Sequence, residues 1–303
     1  MRYDDTKTND GLATGGIMRI GIYTNQDKDK DCLLSRDLSR LIVRQGGIPV
    51  VDEQCLGSQF SDIQGIDLAS YETSDLIMVL GGDGTFLSAV HLPGCQDIPI
   101  IGVNLGSVGF LQEIRPENLA ESVERLLAGD YYIDRRMMLS VSVHDAKGQL
   151  VESGLSMNDA VISRGGKSRI LTLDLTIDGV FLERIPGDGM ILSTPTGSTA
   201  YSLSAGGPIV HPRLELLLIT PVCPHTLHNR SYLTSSTSEV VIEIVDYPYQ
   251  ALLAIDGRRE INLNSGDRVV VRKADRTLQL IRLSPDHFFA DLPGKIHLRG
   301  KTR

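Results

Sequence analysis

The sequence predicts an α/β N-terminal domain with a Rossmann-like parallel sheet, followed by a mainly antiparallel, sandwich-like all-β C-terminal domain. Three observations carry this expectation. Short apolar runs alternate with helical apolar stripes from Met18 to Leu127, the pattern of a parallel sheet with helices on its faces. After about Asp134 the period changes to two, as in half-buried strands. Asp178-Gly179 then interrupts that alternation with the residues of a tight hairpin turn.

Taken in order, Arg19-Ile20-Gly21-Ile22-Tyr23 reads as the first strand. Between Asp31 and Gln45, residues Leu34, Leu38, Leu41 and Ile42 share one helical face, and Gly46-Gly47 closes the helix. Strands are expected at Ile48–Val51, Leu76–Leu80 and Ile98–Val103, with a helix over Phe86–His91. Pro116 opens a further helix striped by Leu119, Val123, Leu126 and Leu127 and stopped by Gly129. In the second region Leu171, Leu173, Leu175 and Ile177 alternate with Thr and Asp. Val240–Val245, Leu252–Ile255, Val269–Arg272 and Leu278–Leu283 continue as short strands. The division reads as an extension over 1–16, an α/β domain over 17–134 and an all-β domain over 135–284.

Composition narrows the function classes. A chain of 303 residues with net charge −8 supports two cores and argues against nucleic acid or an anionic membrane as main partner. No apolar stretch approaches the ~18 residues of a membrane helix. Residues 1–16 are polar, without the apolar core of a secretory signal, so a disordered extension is expected there, and Met18 would serve equally well as the start. Cys32, Cys55, Cys95 and Cys223 are far apart and show no metal or redox spacing. Reduced thiols and a cytoplasmic location are the expectation.

The most informative stretch is Gly81-Gly82-Asp83-Gly84-Thr85, directly after Leu76–Leu80. Glycines let backbone approach a phosphate closely, and amides at a helix start point at the anion. A carboxylate there repels phosphate, but it can meet the hydroxyl that attacks the phosphorus or help hold magnesium. The same residues also make an ordinary strand-to-helix turn. A second segment, residues 188–208, weighs against that plain reading. It is rich in hydroxyls and small residues, with Tyr201 its single bulky side chain. Such a stretch suits a wall that hydrogen-bonds ribose, phosphate or base edges, with Tyr201 as a flat face for adenine or ribose.

Together these segments resemble the NAD kinase family. The resemblance extends to Asn158-Asp159, where the family usually has Asn-Glu, to Pro224-His225-Thr226-Leu227, and to Asp256-Gly257. It implies transfer of the terminal phosphate of ATP to the 2′-hydroxyl of the adenosine ribose of NAD, giving NADP. By this resemblance Asp83 is catalytic and Gly84 cradles phosphate. NAD or ATP contacts fall to Asn158, Asp159, Arg169, Asp188, Thr199, Ala200, Tyr201, Ser202, Leu203 and Ser204. A divalent cation, magnesium, is implied as cofactor. NAD and ATP are the implied small-molecule partners, with inorganic polyphosphate as an alternative donor, and the assembly is a homodimer or homotetramer. In the family the final residues, 285–303 here, return to the first domain.

Several assignments have a plainer competitor. Asn158-Asp159 also reads as a turn, and Asp is one methylene shorter than the family's Glu. Arg169 is equally a solvated strand-edge charge. Phe110 either walls the nicotinamide side or fills the core, and His225 is as much a core or interface histidine as a catalytic one. Arg258 stands where the family often has Gln, and no role is assigned to it. Two other functions remain: a lipid or other small-molecule kinase sharing the glycine turn, and a non-catalytic dinucleotide sensor. No exposed apolar or basic segment suggests the first. The carboxylate of Asp83 argues against the second, because a sensor does not need it.

Overall fold

A computed structural model describes residues 16–106, 109–166, 168–226, 229–285 and 288–301, without the side chains of 54–57 and 297–301. The extension read over 1–16 therefore lies, apart from Gly16, outside the described residues, as does the side chain of Cys55. The chain forms two compact units: one takes in the chain up to Arg135 and again from Leu278, the other is Arg136–Thr277.

The first unit alternates strand and helix: β1 (Arg19–Thr24), α1 (Leu33–Arg44), β2 (Ile48–Val51), α2 (Glu53–Phe60), β3 (Asp67–Leu68), β4 (Leu76–Gly81), α3 (Asp83–Val90), β5 (Ile100–Asn104), β6 (Gln112–Ile114) and α4 (Leu119–Leu127). The order β5-β4-β1-β2-β3 is parallel throughout. Every residue of β4 is buried, the signature of a strand covered on both faces. The α1 stripe is as expected, with Leu38 and Ile42 buried against Ile20, Ile22 and Val51. Gly46 takes φ +90° just past that helix, a conformation that favours glycine. Three of these elements escaped sequence reading, among them the three-residue β6. The helix α2 lacks a clear apolar stripe, and β3 is only two residues long.

The second unit is antiparallel. Its strands are β7 (Tyr132–His144), β8 (Leu150–Ser156), β9 (Asp159–Ser163), β10 (Leu171–Ile177), β11 (Val180–Gly187), β12 (Gly189–Ser193), β13 (Leu216–Val222), β14 (Tyr232–Ser235), β15 (Val240–Val245), β16 (Ala251–Ile255), β17 (Arg259–Leu263) and β18 (Arg268–Arg282), with the short helix α5 (Tyr201–Ser204) between β12 and β13. One sheet contains β11-β10-β15-β18, and the other runs β14-β13-β12-β9-β16-β17. Their inward residues share a single core, with Leu173, Ile242 and Val269 from the first sheet and Ile162, Leu192 and Leu253 from the second. This is the sandwich the period-two pattern predicted. Asp178 and Gly179 both have positive φ and turn β10 into β11, as a two-residue hairpin requires.

Sequence reading divided β18 into Val269–Arg272 and Leu278–Leu283. The structure joins them in one 15-residue strand. The intervening Lys273-Ala274-Asp275-Arg276-Thr277 is polar enough to read as a break, and within it the buried face shifts by one residue, from Val269 and Val271 to Ala274, Leu278 and Leu280. The strands β7 and β18 each contribute residues to both units. The last element, α6 (Phe288–Lys301), belongs to the first unit.

Candidate active site

The glycine turn closes β4 and opens α3. The helix starts at Asp83 with Gly82 as its cap, three residues before the expected Phe86. The N–H of Phe86 bonds to the carbonyl of Gly82, which draws the acid into the first helical turn. A carboxylate there is favoured by the helix dipole, and the first N–H groups of the helix face outward toward an anion. A Cβ on Gly81 would overlap the side chain of Thr85, so the turn folds over that threonine. Around Gly84 nothing lies within 4 Å of a built Cβ, and the residue is exposed.

The half-buried Asp83 carboxylate is held from behind. It accepts N–H bonds from Phe110 and Leu111, both at 3.3 Å. A Cβ on Gly109 would overlap Asp83 Oδ1 and Gln112 Oε1, so this glycine makes room for the acid. From α6, Lys295 lies 5.8 Å from the centroid of the Phe110 ring. Burial and the Arg282 charge lower the Lys295 pKa, opposed by Asp291, Glu113 and Asp83.

Among the described residues no three His, Cys, Asp or Glu side chains converge on a point that could hold a metal. The donor set fits a divalent cation that arrives on phosphate oxygens, keeps water and meets one carboxylate, as magnesium does beside polyphosphates. Asp83 is the carboxylate available at the turn.

In the second unit the structure brings Asn158-Asp159 against the hydroxyl-rich segment. Asp159 pairs with Ser193 across β9 and β12. The Asn158 carbonyl accepts from the N–H of Thr194 and the hydroxyl of Ser193, and a Cβ on Gly197 would overlap that carbonyl. Thr194 Oγ1 donates to the Met157 carbonyl at 2.6 Å and accepts from Gly197 N–H. These two hydroxyls therefore lock the segment to residues 157–158, immediately before β9. Ser198 Oγ binds Pro195 O and Val210 O, and Ser202 Oγ meets Thr220 Oγ1. Tyr201, 48% exposed, and the exposed Ser204 face outward from the segment.

Asp159 is 5% exposed, and its pKa is raised to about 7 by burial first and the neighbouring Asp256 second. The N–H of Tyr201, at the start of α5, opposes the rise. Asp256 lies at the tip of the β16–β17 hairpin with φ +50°. It accepts from Ser156 Oγ and from the N–H groups of Met157, Asn158 and Asp159 at 2.7–3.2 Å.

The other sequence-derived residues are distributed differently. Thr199 is buried and Ala200 half-buried, and Thr199 Oγ1 donates to the Thr196 carbonyl. Ser202 is fully buried, Leu203 half-buried and Ser204 exposed. Asp188 pairs with Arg164 at 3.1 Å, at the Gly189–Ser163 end of the β9–β12 ladder. That is four residues, about 13 Å by strand rise, from the Asp159–Ser193 end. Arg169 is exposed, and its charge acts on the phenol of Tyr247. Phe110 is half-buried, and Arg258 is exposed next to the hairpin tip. The His225 N–H bonds to the Pro186 carbonyl, while Leu227 lies outside the described residues.

Sequence reasoning gave no role to Asp256, Lys295 or Lys28. An Asp-Gly pair signals a hairpin, and nothing local reveals four donors arriving from residues 156–159. Lys28 lies in a charged run with Lys30, and Lys295 stands between Gly294 and Ile296, so only the fold assigns them neighbours.

Residues 20–131 match the family described as the ATP-NAD kinase N-terminal domain, and residues 157–283 match the ATP-NAD kinase C-terminal domain. The NAD kinase of Acetivibrio thermocellus is 40% identical over 293 residues, covering 94% of this chain and 99% of its own. That of Geobacter sulfurreducens is 41% identical over 281 residues, covering 92% and 98%. The crystal structure of yeast NADH kinase complexed with NADH superposes with a TM-score of 0.85 at 24% identity, covering 96% of this chain and 90% of that one. An NAD kinase from Archaeoglobus fulgidus in complex with ATP gives 0.72 at 23% identity, covering 92% and 99%. These two likenesses show the fold.

Proposed function

The chain belongs to the NAD kinase family, and from that premise we propose which of its residues carry the reaction. The protein is a phosphotransferase with an alcohol acceptor, moving the terminal phosphate of ATP to the 2′-hydroxyl of the adenosine ribose of NAD. The observation that supports a role for Asp83 is its place in the first turn of α3, beside the open Gly84.

In this reading the 2′-oxygen attacks the terminal phosphorus. The bond from that phosphorus to the bridging oxygen breaks, and ADP leaves with the electron pair. The proton of the 2′-hydroxyl passes to Asp83. Since the transition state is loose, that proton departs late, and orientation of the hydroxyl matters more than basicity. N–H groups at the start of α3 bind phosphate oxygens. A divalent cation, which we assign as magnesium, would neutralise charge on the phosphates. Asp83 is the carboxylate that would face it. Asn158, Asp159, Thr199, Ala200 and Tyr201 form the dinucleotide surface, and Asp159, protonated to about pH 7, can donate as well as accept there.

Cys32 and Cys95 are buried and Cys223 exposed, all three as free thiols. Together with the substrates, this supports a cytoplasmic location. A homodimer or homotetramer is the assembly the family resemblance leads us to expect. No helix among the described residues is long and apolar enough to cross a membrane, and the lipid-kinase reading is not favoured.

The test is incubation of purified protein with ATP, magnesium and NAD, with NADP as readout and diacylglycerol as a separate acceptor. Formation of NADP supports the reading. Its absence alongside phosphorylation of the lipid overturns it. Inorganic polyphosphate in place of ATP tests the second donor.

A further inference from the structure

The loop after β1 carries Lys28 to the glycine turn, and the way it does so is specific. Three parallel strands, β1, β4 and β5, lie side by side, with Thr24 paired to Leu80 and Gly81 paired to Asn104. Their carboxyl ends therefore open on one edge, the place where parallel sheets bind ligands. Asn25 fastens the β1 loop there. Its N–H bonds to Leu80 O, its Nδ2 donates to Thr85 Oγ1 at 3.1 Å, and its Oδ1 accepts from the N–H groups of Asp27 and Lys28. Asp29 holds the other side of the loop by accepting from Thr24 Oγ1 and from the N–H groups of Leu34 and Ser35. Lys28 thus projects from a backbone fixed at both ends.

Its ammonium lies 3.0 Å from the point a Cβ on Gly82 would occupy and 3.4 Å from the corresponding point on Gly106. Gly82 has φ −108° and ψ −171°, an extended conformation open to any residue. Backbone freedom therefore does not call for glycine at this position. What glycine provides is space, and the cation stands at that space. Among the described residues, no ion pair occupies the Lys28 ammonium.

An exposed lysine is ordinarily just solvated. Here the charge stands beside Gly82, the cap of α3, where the positive end of the helix dipole disfavours a cation unless an anion lies close to both. We propose that Lys28 is a phosphate-binding residue of the donor site, its ammonium hydrogen-bonding oxygens of the ATP triphosphate opposite the first turn of α3. This rests on the phosphotransferase reading above. A charge-assisted bond of this kind contributes about 1.5–3 kcal/mol, equivalent to about 10- to 150-fold in affinity.

The experiment is calorimetric titration, in magnesium and without NAD, of wild type, Lys28→Gln, Lys28→Arg and Lys30→Gln. Two probes are used, ATP and inorganic tripolyphosphate. Lys28→Gln is expected to weaken both at least tenfold at unchanged Tm, Lys28→Arg to recover much of that loss, and Lys30→Gln to stay within twofold of wild type. ATP affinity within twofold of wild type for Lys28→Gln overturns the proposal. So does an equal loss for Lys30→Gln, or a loss for ATP without one for tripolyphosphate. Because binding is read without NAD, a wild type that binds tripolyphosphate through Lys28 but makes no NADP would sink the NAD kinase reading and leave this inference standing.

Discussion

Asp159 and Asp256 are bonded to each other twice: the Asp256 N–H donates to the Asp159 carbonyl at 2.9 Å, and the Asp159 N–H donates to Asp256 Oδ1 at 3.2 Å. Two buried acids are thereby held side by side. Asp256, with four donors, is the anchor. Asp159, lacking that many, is the one whose proton is retained.

Replacement of Asp256 tests the anchor. Asp256→Ala leaves three N–H groups and the Ser156 hydroxyl without their acceptor, and we expect a loss of about 3 kcal/mol or more, since each unsatisfied buried donor costs ~1–3 kcal/mol. Asp256→Asn keeps Oδ1 for three of the donors but turns an amide toward the Met157 N–H, and should cost about 1–2 kcal/mol. Urea unfolding measures both. Equal losses for the two variants would contradict the donor arrangement.

The raised pKa of Asp159 makes a pH prediction. The folded chain keeps this proton up to about pH 7, whereas an unfolded chain releases it near ~3.9. The folded state therefore binds more protons between those values. Stability contributed by this group is fully present below about pH 4, declines as pH rises to about 7, and is flat above. Asp159→Asn should compare increasingly well with wild type from pH 5 to pH 8, by roughly 2–4 kcal/mol. A stability difference independent of pH would refute this.

For Asp83 we expect a separation of chemistry from binding. Asp83→Asn should lower kcat by about two orders of magnitude or more, as loss of a general base does, with the NAD dissociation constant nearly unchanged. Steady-state rates with calorimetry decide it, and a variant as active as wild type removes Asp83 from the mechanism.

Gly109→Ala tests the same acid without altering it. The new methyl would meet Asp83 Oδ1 and Gln112 Oε1, so the carboxylate must move. A displacement of about 1 Å can cost on the order of 100-fold in rate. The expected result is a fall in kcat without a matching rise in KM for NAD. Unchanged kcat would mean that the position of Asp83 is not critical.

Tyr201→Ala removes an exposed ring but keeps the N–H that bonds Asp159. Loss of an aromatic face worth ~0.5–1.5 kcal/mol should raise the dissociation constant for NAD about 2- to 10-fold and slow the chemical step less. An unaltered dissociation constant would end the stacking assignment.

The glycine turn, the parallel α/β pattern and the hairpin at Asp178-Gly179 were legible because each depends on local chemistry: apolar period, helix stops and residues that tolerate positive φ. The wall around 188–208 was legible as unusual, but its inner workings were not. The segment as a whole read as a hydrogen-bonding wall, and within it the hydroxyls of Ser193, Thr194 and Ser198 bond backbone of residues 157–158, 194–195 and 210, while that of Ser202 meets Thr220. Hydroxyls do not announce their partners.

The sequence alone determined where a strand hands a carboxylate to a glycine-lined helix start, since neighbours in the chain create that turn. Only the tertiary structure decided which distant groups act on it and on the second acid. Phe110 and Leu111 reach Asp83 from 27 and 28 residues away, Asp256 reaches Asp159 from 97, and Lys28 meets Gly82 and Gly106. The physical reason is that hydrogen bonds and charges act over a few ångströms of space, whereas sequence pattern reports only the few neighbours along the backbone.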